Sequence, residues 1–172
     1  FTGWVITYPK YVQKYQQGAE VKMFVAGEIN KKAEEAGTFI NDKQFKDVLH
    51  QKGEGAGIYL RFKTEENEAI EIKAGFSYTS AENALANLNA EAENLTFDEA
   101  LSTATKTWED ELSKIMVTDT STVNKTKFYT GLFHALLGRG LANDVNGQFP
   151  ENDGSIGQIP LDANGNPEFN FY

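Results

Sequence analysis

With 172 residues, 40% hydrophobic and 24% charged, the chain can bury a core and is too apolar for wholesale disorder. A formal charge of −9 makes nucleic acid a poor partner, because the protein would repel a phosphate backbone. No apolar run approaches the roughly 20 residues that cross a bilayer, and zero cysteines rule out disulfides and thiolate metal sites. The sequence starts at Phe1 with no basic stretch followed by an apolar run, so no secretory signal is expected within it.

The first half has the period of strands. Glu20 to Ala26 is rich in β-formers, with Val21, Met23 and Val25 on one side. Gly37 to Asn41 is predicted as a short strand ending in an Asn41-Asp42 turn, and Lys43 to His50 stays open between a strand and a helical turn. Gly53 to Gly57 precedes a strand instead of opening a helix, which marks a turn and not a phosphate loop. Ile58, Leu60 and Phe62 alternate with Tyr59, Arg61 and Lys63. Ile70, Ile72, Ala74, Phe76 and Tyr78 do the same against Glu71, Lys73, Gly75 and Ser77. Both patterns predict a strand with one buried and one wet face. The short charged connector Thr64 to Glu68 suits an antiparallel hairpin between these two strands, and a β-sandwich layer follows.

From Ser80 the period changes. Ser80 caps a short helix carrying Ala81, Ala84, Leu85 and Leu88, and Thr96 with Glu99 forms a capping box opening a longer one. Phe97, Ala100, Leu101, Ala104, Trp108, Leu112 and Ile115 recur at three- and four-residue spacing and predict a buried stripe. A third helix is expected over Val123 to Leu137, with Phe128, Leu132, Phe133 and Leu136 inside and Gly138 as its stop. The sequons at Asn94 and Asn124 fall among residue types that helix caps also favour, and capping is the ordinary reading. Beyond Gly140 the Asp/Asn/Gly clusters at 144–147, 152–154 and 162–167 predict a loop-rich tail.

Calcium is the first chemistry such clusters suggest, yet the spacing fails. An EF-hand needs Gly at the sixth position and Glu at the twelfth, and neither Asp144 nor Asp162 opens such a run. His50 and His134 are too far apart in sequence to suggest a paired metal site, and a lone helical histidine is more often packed than ligating. No nucleophile elbow or dinucleotide fingerprint occurs. A catalytic carboxylate pair cannot be chosen among 25 acidic residues without geometry, so no catalytic or metal-binding residue is assigned. Trp4, Tyr8, Tyr11 and Tyr172 are the aromatics best suited to stack on sugar rings, although core packing is the commoner duty.

Three stretches together resemble the family 92 glycoside hydrolases, the calcium-dependent exo-acting α-mannosidases. They are Gly75 to Ala84 running on through Glu91, then Thr96-Phe97-Asp98 with Trp108 to Leu112, and finally Phe128 to Leu137 followed by Asp144-Val145-Asn146-Gly147 and Asp153-Gly154. Departures lie at Arg139 to Asn143 and Pro150 to Asn152.

The resemblance implies an α+β chain in three parts. Residues 1–79 would be the C-terminal part of an antiparallel β-sandwich, 80–118 a helical linker, and 119–172 the first helices of an (α/α)6 barrel. It also implies calcium in the full-length enzyme, inverting removal of terminal α-mannose from a mannose-containing glycan, and a secreted or periplasmic location. The catalytic carboxylates would lie further C-terminal, in the remaining part of the same polypeptide, leaving the isolated chain inactive. His134, Asp144 and Asp153 are the candidates for substrate contact that follow from it. A non-catalytic carbohydrate-binding or docking module is the alternative.

Overall fold

The computed structural model describes residues 1–138 and 140–171. In chain order the elements are β1 (Thr2–Thr7), α1 (Lys10–Gln13), β2 (Val21–Ile29), β3 (Glu35–Ile40), β4 (Lys43–Lys46), β5 (Ala56–Arg61), β6 (Ile72–Ser77), α2 (Ala81–Ala92), α3 (Phe97–Leu112), α4 (Thr122–Leu136), β7 (Gln148–Pro150) and β8 (Ile156–Gln158). The result is a mixed α+β fold with antiparallel strand pairs. It divides into two compact units, Glu28–Lys73 forming one and Phe1–Gly27 with Ala74–Tyr172 the other.

In the Glu28–Lys73 unit, β3 is the centre of a three-stranded sheet ordered β4-β3-β5. Asn41 and Asp42 close the β3–β4 hairpin, with Ile40 opposite Lys43 and Asn41 at φ 48°, a left-handed conformation that Asn tolerates. The ambiguous 43–50 stretch is therefore strand at its start. Gly57 is required beside Phe39, since a Cβ there would fall 2.2 Å from the ring. Lys46 and Arg61 flank the Glu35 carboxylate, and the hydrogen bond from Lys46 is the main influence holding its pKa below the ordinary glutamate value.

The expected β5–β6 hairpin is not formed. β5 pairs with β3, from Glu35 opposite Arg61 to Ile40 opposite Ala56, while β6 joins the sheet ordered β1-β2-β6. The connector instead closes on itself: Glu68 N–H donates to the Glu65 carbonyl, the Glu68 carboxylate accepts from Glu65 N–H, and Lys31 Nζ bonds both Lys63 O and Glu68. A short link permits a hairpin without requiring one, because each strand pairs wherever the sheet offers an edge.

β1, unrecognised in the sequence, runs antiparallel to β2 from Thr2 opposite Ala26 to Thr7 opposite Val21. β6 is inverted in phase relative to expectation. Gly75, Ser77 and Thr79 are buried, whereas Ile72 is 62% and Phe76 54% exposed. The physical reason is α2, which lies so close that a Cβ on Gly75 would fall 2.2 Å from the Ala84 carbonyl and 2.7 Å from Leu88 N. Only the small-residue face of β6 admits that approach, and the apolar face is displaced outward.

Two helices begin as their caps predict: Ser80 Oγ accepts from Asn83 N–H, and the Thr96/Glu99 capping box is complete. α4 starts one residue earlier than expected, behind a Ser121 cap that went unrecognised in the sequence. The α3 stripe is covered only towards its C-terminal end, a correction to its predicted burial. Trp108 and Leu112 are half-buried, but Phe97 is 67% exposed, and Leu101 and Ile115 are exposed too. α3 ends at Leu112, short of Ile115. Along α4, Leu132 and Phe133 are half-buried while Phe128 and Leu136 are exposed. The contact between the two helices centres on Trp108 and Phe133, whose rings lie 4.4 Å apart, and on Tyr129 Oη, which donates to Ile115 O and accepts from Val117 N–H. The tail, expected as loops, holds the β7–β8 hairpin, with Phe149 opposite Gly157. Fully buried apolar residues are few among those described: Ala26, Ala84, Leu88 and Ile159.

Two stability measurements probe this packing. Gly75→Ala should destabilise by about 1–3 kcal/mol in chemical denaturation, the usual cost of overpacking, and an unchanged midpoint would mean α2 is free to move away. Thr38 is 1% exposed and its hydroxyl has no hydrogen-bond partner among the described residues. Thr38→Val should accordingly be neutral or stabilise by about 1 kcal/mol, while a loss of that size would reveal a bonded hydroxyl.

Candidate functional site

The polar centre of the larger unit is assembled from a strand end and a helix face. Ser77 is the last residue of β6 and Thr79, also buried, lies in the bend just beyond it, while Asn83 and Asn87 are four apart and share a face of α2. All four converge on Asp144, which is 2% exposed. Its Oδ2 accepts from Ser77 Oγ at 2.9 Å, from Thr79 Oγ1, and from Asn83 Nδ2 at 3.1 Å, and Oδ1 accepts from Asn87 Nδ2 at 2.7 Å.

The same amides grip the loop that follows. Asn87 Oδ1 accepts from Val145 N–H, Asn83 Oδ1 from Asn146 Nδ2, and Gln148 Oε1 from Asn83 Nδ2. Asp144 N–H donates to Gln148 O, and Gly147 N–H donates to Asp144 O with Gly147 at φ 80°. Neighbouring Asn143 accepts from Phe171 N–H, and Ala142 N–H donates to Phe171 O. Strand end, helix and loop are thereby tied at one buried carboxylate.

Two clefts flank this node. The first, about 520 Å³, has Met23, Phe76, Asn87, Leu88 and Asp144 among its lining residues. The second, about 610 Å³, lies between the α1–β2 loop and the β7–β8 hairpin, with Tyr78 and Thr79 also lining it.

The three candidate contact residues are not gathered in one place. Asp144 lines the first cleft, with both oxygens engaged by protein donors. Asp153 lines the second, in the β7–β8 turn, where Ser155 Oγ and N–H bond its Oδ1 and hold its pKa below the ordinary aspartate value. His134 is exposed on α4 beside Phe133, lining neither. Of the aromatics, Trp4, Tyr8 and Tyr11 are exposed; Tyr172, like Arg139 at the first departure, lies outside the described residues.

Ser77, Thr79, Asn83 and Asn87 went unassigned in the sequence, although their i+2 and i+4 spacings were the available signal. Hard cations need several converging oxygens, and these residues do not fit calcium. Asp144 is ringed by hydroxyl and amide donors. Asp162 Oδ1 is taken by Asn164 and Asn166 N–H, the bond from Asn166 chiefly lowering its pKa. No group of three metal-binding side chains forms among the described residues.

Residues 83–170, more than half of the chain, match the model described as glycosyl hydrolase family 92 catalytic domain. The chain belongs to glycosyl hydrolase family 92. Similar solved structures include a family GH92 alpha-mannosidase of Bacteroides thetaiotaomicron, 25% identical with a TM-score of 0.68 over 83% of this chain and 20% of that one. A family GH92 inverting mannosidase of Bacteroides thetaiotaomicron VPI-5482 is 20% identical, with a TM-score of 0.70 over 81% of this chain and 20% of that one. The GH92 family glycosyl hydrolase ccman5 is 22% identical, with a TM-score of 0.78 over 99% of this chain and 21% of that one. No protein of curated function matches the sequence. This GH92 chain thus spans about a fifth of the length of its structural relatives. Asn83, Asn87, Asp144 and Gln148 all fall inside the matched region.

Asp144→Ala should cost at least about 3 kcal/mol in chemical denaturation, because three buried donors and the half-buried Asn87 amide lose their acceptor together. Asp144→Asn, which sets an amide N–H₂ among donors, should recover only part of that loss. A change below about 1 kcal/mol for both would mean that water replaces the carboxylate.

Proposed function

We propose that this GH92 chain is part of a longer exo-acting glycosidase that removes terminal α-linked mannose from glycans. The supporting observation is the match of residues 83–170 to the family's catalytic-domain model, joined by backbone likeness to GH92 alpha-mannosidases, one of which is solved in complex with mannoimidazole.

In this proposal residues 1–79 close a β-sandwich, 80–118 link it onward, and α4 opens an (α/α)6 barrel. The chemistry is inverting. One carboxylic acid protonates the leaving oxygen while a second carboxylate activates water on the opposite face, the pair standing roughly 6.5–9.5 Å apart. In this reading both belong to the longer polypeptide, and calcium is expected in the full-length enzyme; within this chain both oxygens of Asp144 and Oδ1 of Asp162 already accept protein hydrogen bonds. What the chain contributes is a rigid wall: the Asp144 node holds the 144–148 loop, leaving Asp153 and His134 for contact with substrate. A secreted or periplasmic location suits an enzyme acting on such glycans.

The test is hydrolysis of an α-linked mannobiose by the full polypeptide, followed by proton NMR of the anomeric signals. β-Mannose should appear first, and the 172-residue chain alone should show no turnover. Absence of hydrolysis by the full polypeptide, or first release of α-mannose, would overturn the proposal.

A further inference from the structure

The second cleft has properties that the node does not explain. Both of its walls are closed by hydrogen bonds of their own. In the α1–β2 loop, Gln13 Nε2 donates to Ala19 O and Gln13 Oε1 accepts from Gly18 N–H. In the β7–β8 hairpin, Glu151 N–H donates to Ser155 O and Gly154 N–H donates to Glu151 O, with Gly154 at φ 86°. The cleft is thus formed before any ligand arrives, which lowers the ordering cost of binding. Its volume of about 610 Å³ lies in the range of small-molecule sites.

The lining combines two kinds of group. Tyr78 is exposed and offers ring surface, and Phe24 beside it is half-buried. Lys22 Nζ sits 4.8 Å from the Phe24 centroid and 5.3 Å from that of Trp4, so its charge faces aromatic surface. Glu20, Glu151 and Asp153 supply carboxylates against that one ammonium. Such a balance disfavours an anion, while hydrogen bonds to ionised acceptors favour a ligand rich in hydroxyl donors. A bare divalent cation is not favoured either, because these acids form no metal-binding group of three. A neutral hexose has the complementary surface: C–H bonds on one ring face and hydroxyls around its edge.

We propose that the cleft between the α1–β2 loop and the β7–β8 hairpin binds a neutral hexose unit of a glycan, stacked on Tyr78 and hydrogen-bonded through Glu20, Glu151 and Asp153. The proposal deepens the α-mannosidase reading and rests on it for the identity of the glycan. It gives Asp153 a partner separate from the Asp144 node.

The test titrates α-mannobiose into the isotope-labelled 172-residue chain, and repeats the titration with the full polypeptide by saturation-transfer NMR. Saturable shifts centred on Tyr78 and Asp153 are expected, with a dissociation constant on the order of 1 mM for one sugar subsite. Tyr78→Ala should weaken binding at least tenfold and Asp153→Asn about fivefold, with circular dichroism unchanged. Phe97→Ala, on an exposed part of α3, should leave affinity as it is. No saturable binding in either protein, or undiminished binding in both cleft variants, overturns the proposal. Hydrolysis by the full polypeptide is read separately. Binding without hydrolysis sinks the enzymatic reading and leaves the cleft standing; hydrolysis without binding at Tyr78 and Asp153 does the reverse.

Discussion

A carboxyl group taken out of water without a cation beside it must find hydrogen-bond donors for its oxygens, and Asp144 finds them on two separate elements. Ser77 ends β6, Thr79 lies in the bend just beyond it, and Asn83 and Asn87 come from α2. Since Ser77, Asn83 and Asn87 are fixed by strand and helix backbones, the carboxylate is satisfied when those elements sit in this arrangement. The path of the 144–148 loop follows from the same bonds, through Val145, Asn146 and Gln148.

The close approach of α2 to β6 is the counterpart of that node. Gly75 offers no Cβ to the Ala84 carbonyl, and Ser77 and Thr79 continue the small face towards Asp144. The cost appears on the other face, where Ile72, Phe76 and Tyr78 are left exposed. Tyr78 then becomes ring surface for the cleft beside the β7–β8 hairpin. One packing decision therefore builds the polar node and uncovers an aromatic group a ligand can use.

Glycosidase chemistry needs two carboxyl groups free to exchange protons with substrate and water, and three acids that the fold holds firmly are engaged in other ways. Asp144 is enclosed by donors, Asp162 caps its own turn, and Glu35 is paired with Lys46 and Arg61. Their duties within this chain are structural. Family membership rests on the matched region, and the node's amides lie within it.

Local patterns were legible wherever the physics is local. The Ser80 cap, the Thr96/Glu99 capping box and the Asn41-Asp42 turn each depend on a few consecutive residues, and all were readable from their order along the chain. The alternation in 70–78 marked a strand correctly. Which face is buried, and whether β5 pairs with β6 or β3, depended on partners far away in sequence, and only the folded chain decided them. The same holds for the α3 stripe, whose amphipathic spacing specifies a helix but not whether anything covers Phe97 or Leu101. Asp144 could be read from sequence alone only as a turn former or a substrate contact. Its burial against Ser77, Thr79, Asn83 and Asn87 spans 57 to 67 positions along the chain, a separation at which hydrogen-bonding capacity is written in the residues and the choice of partner is made by packing.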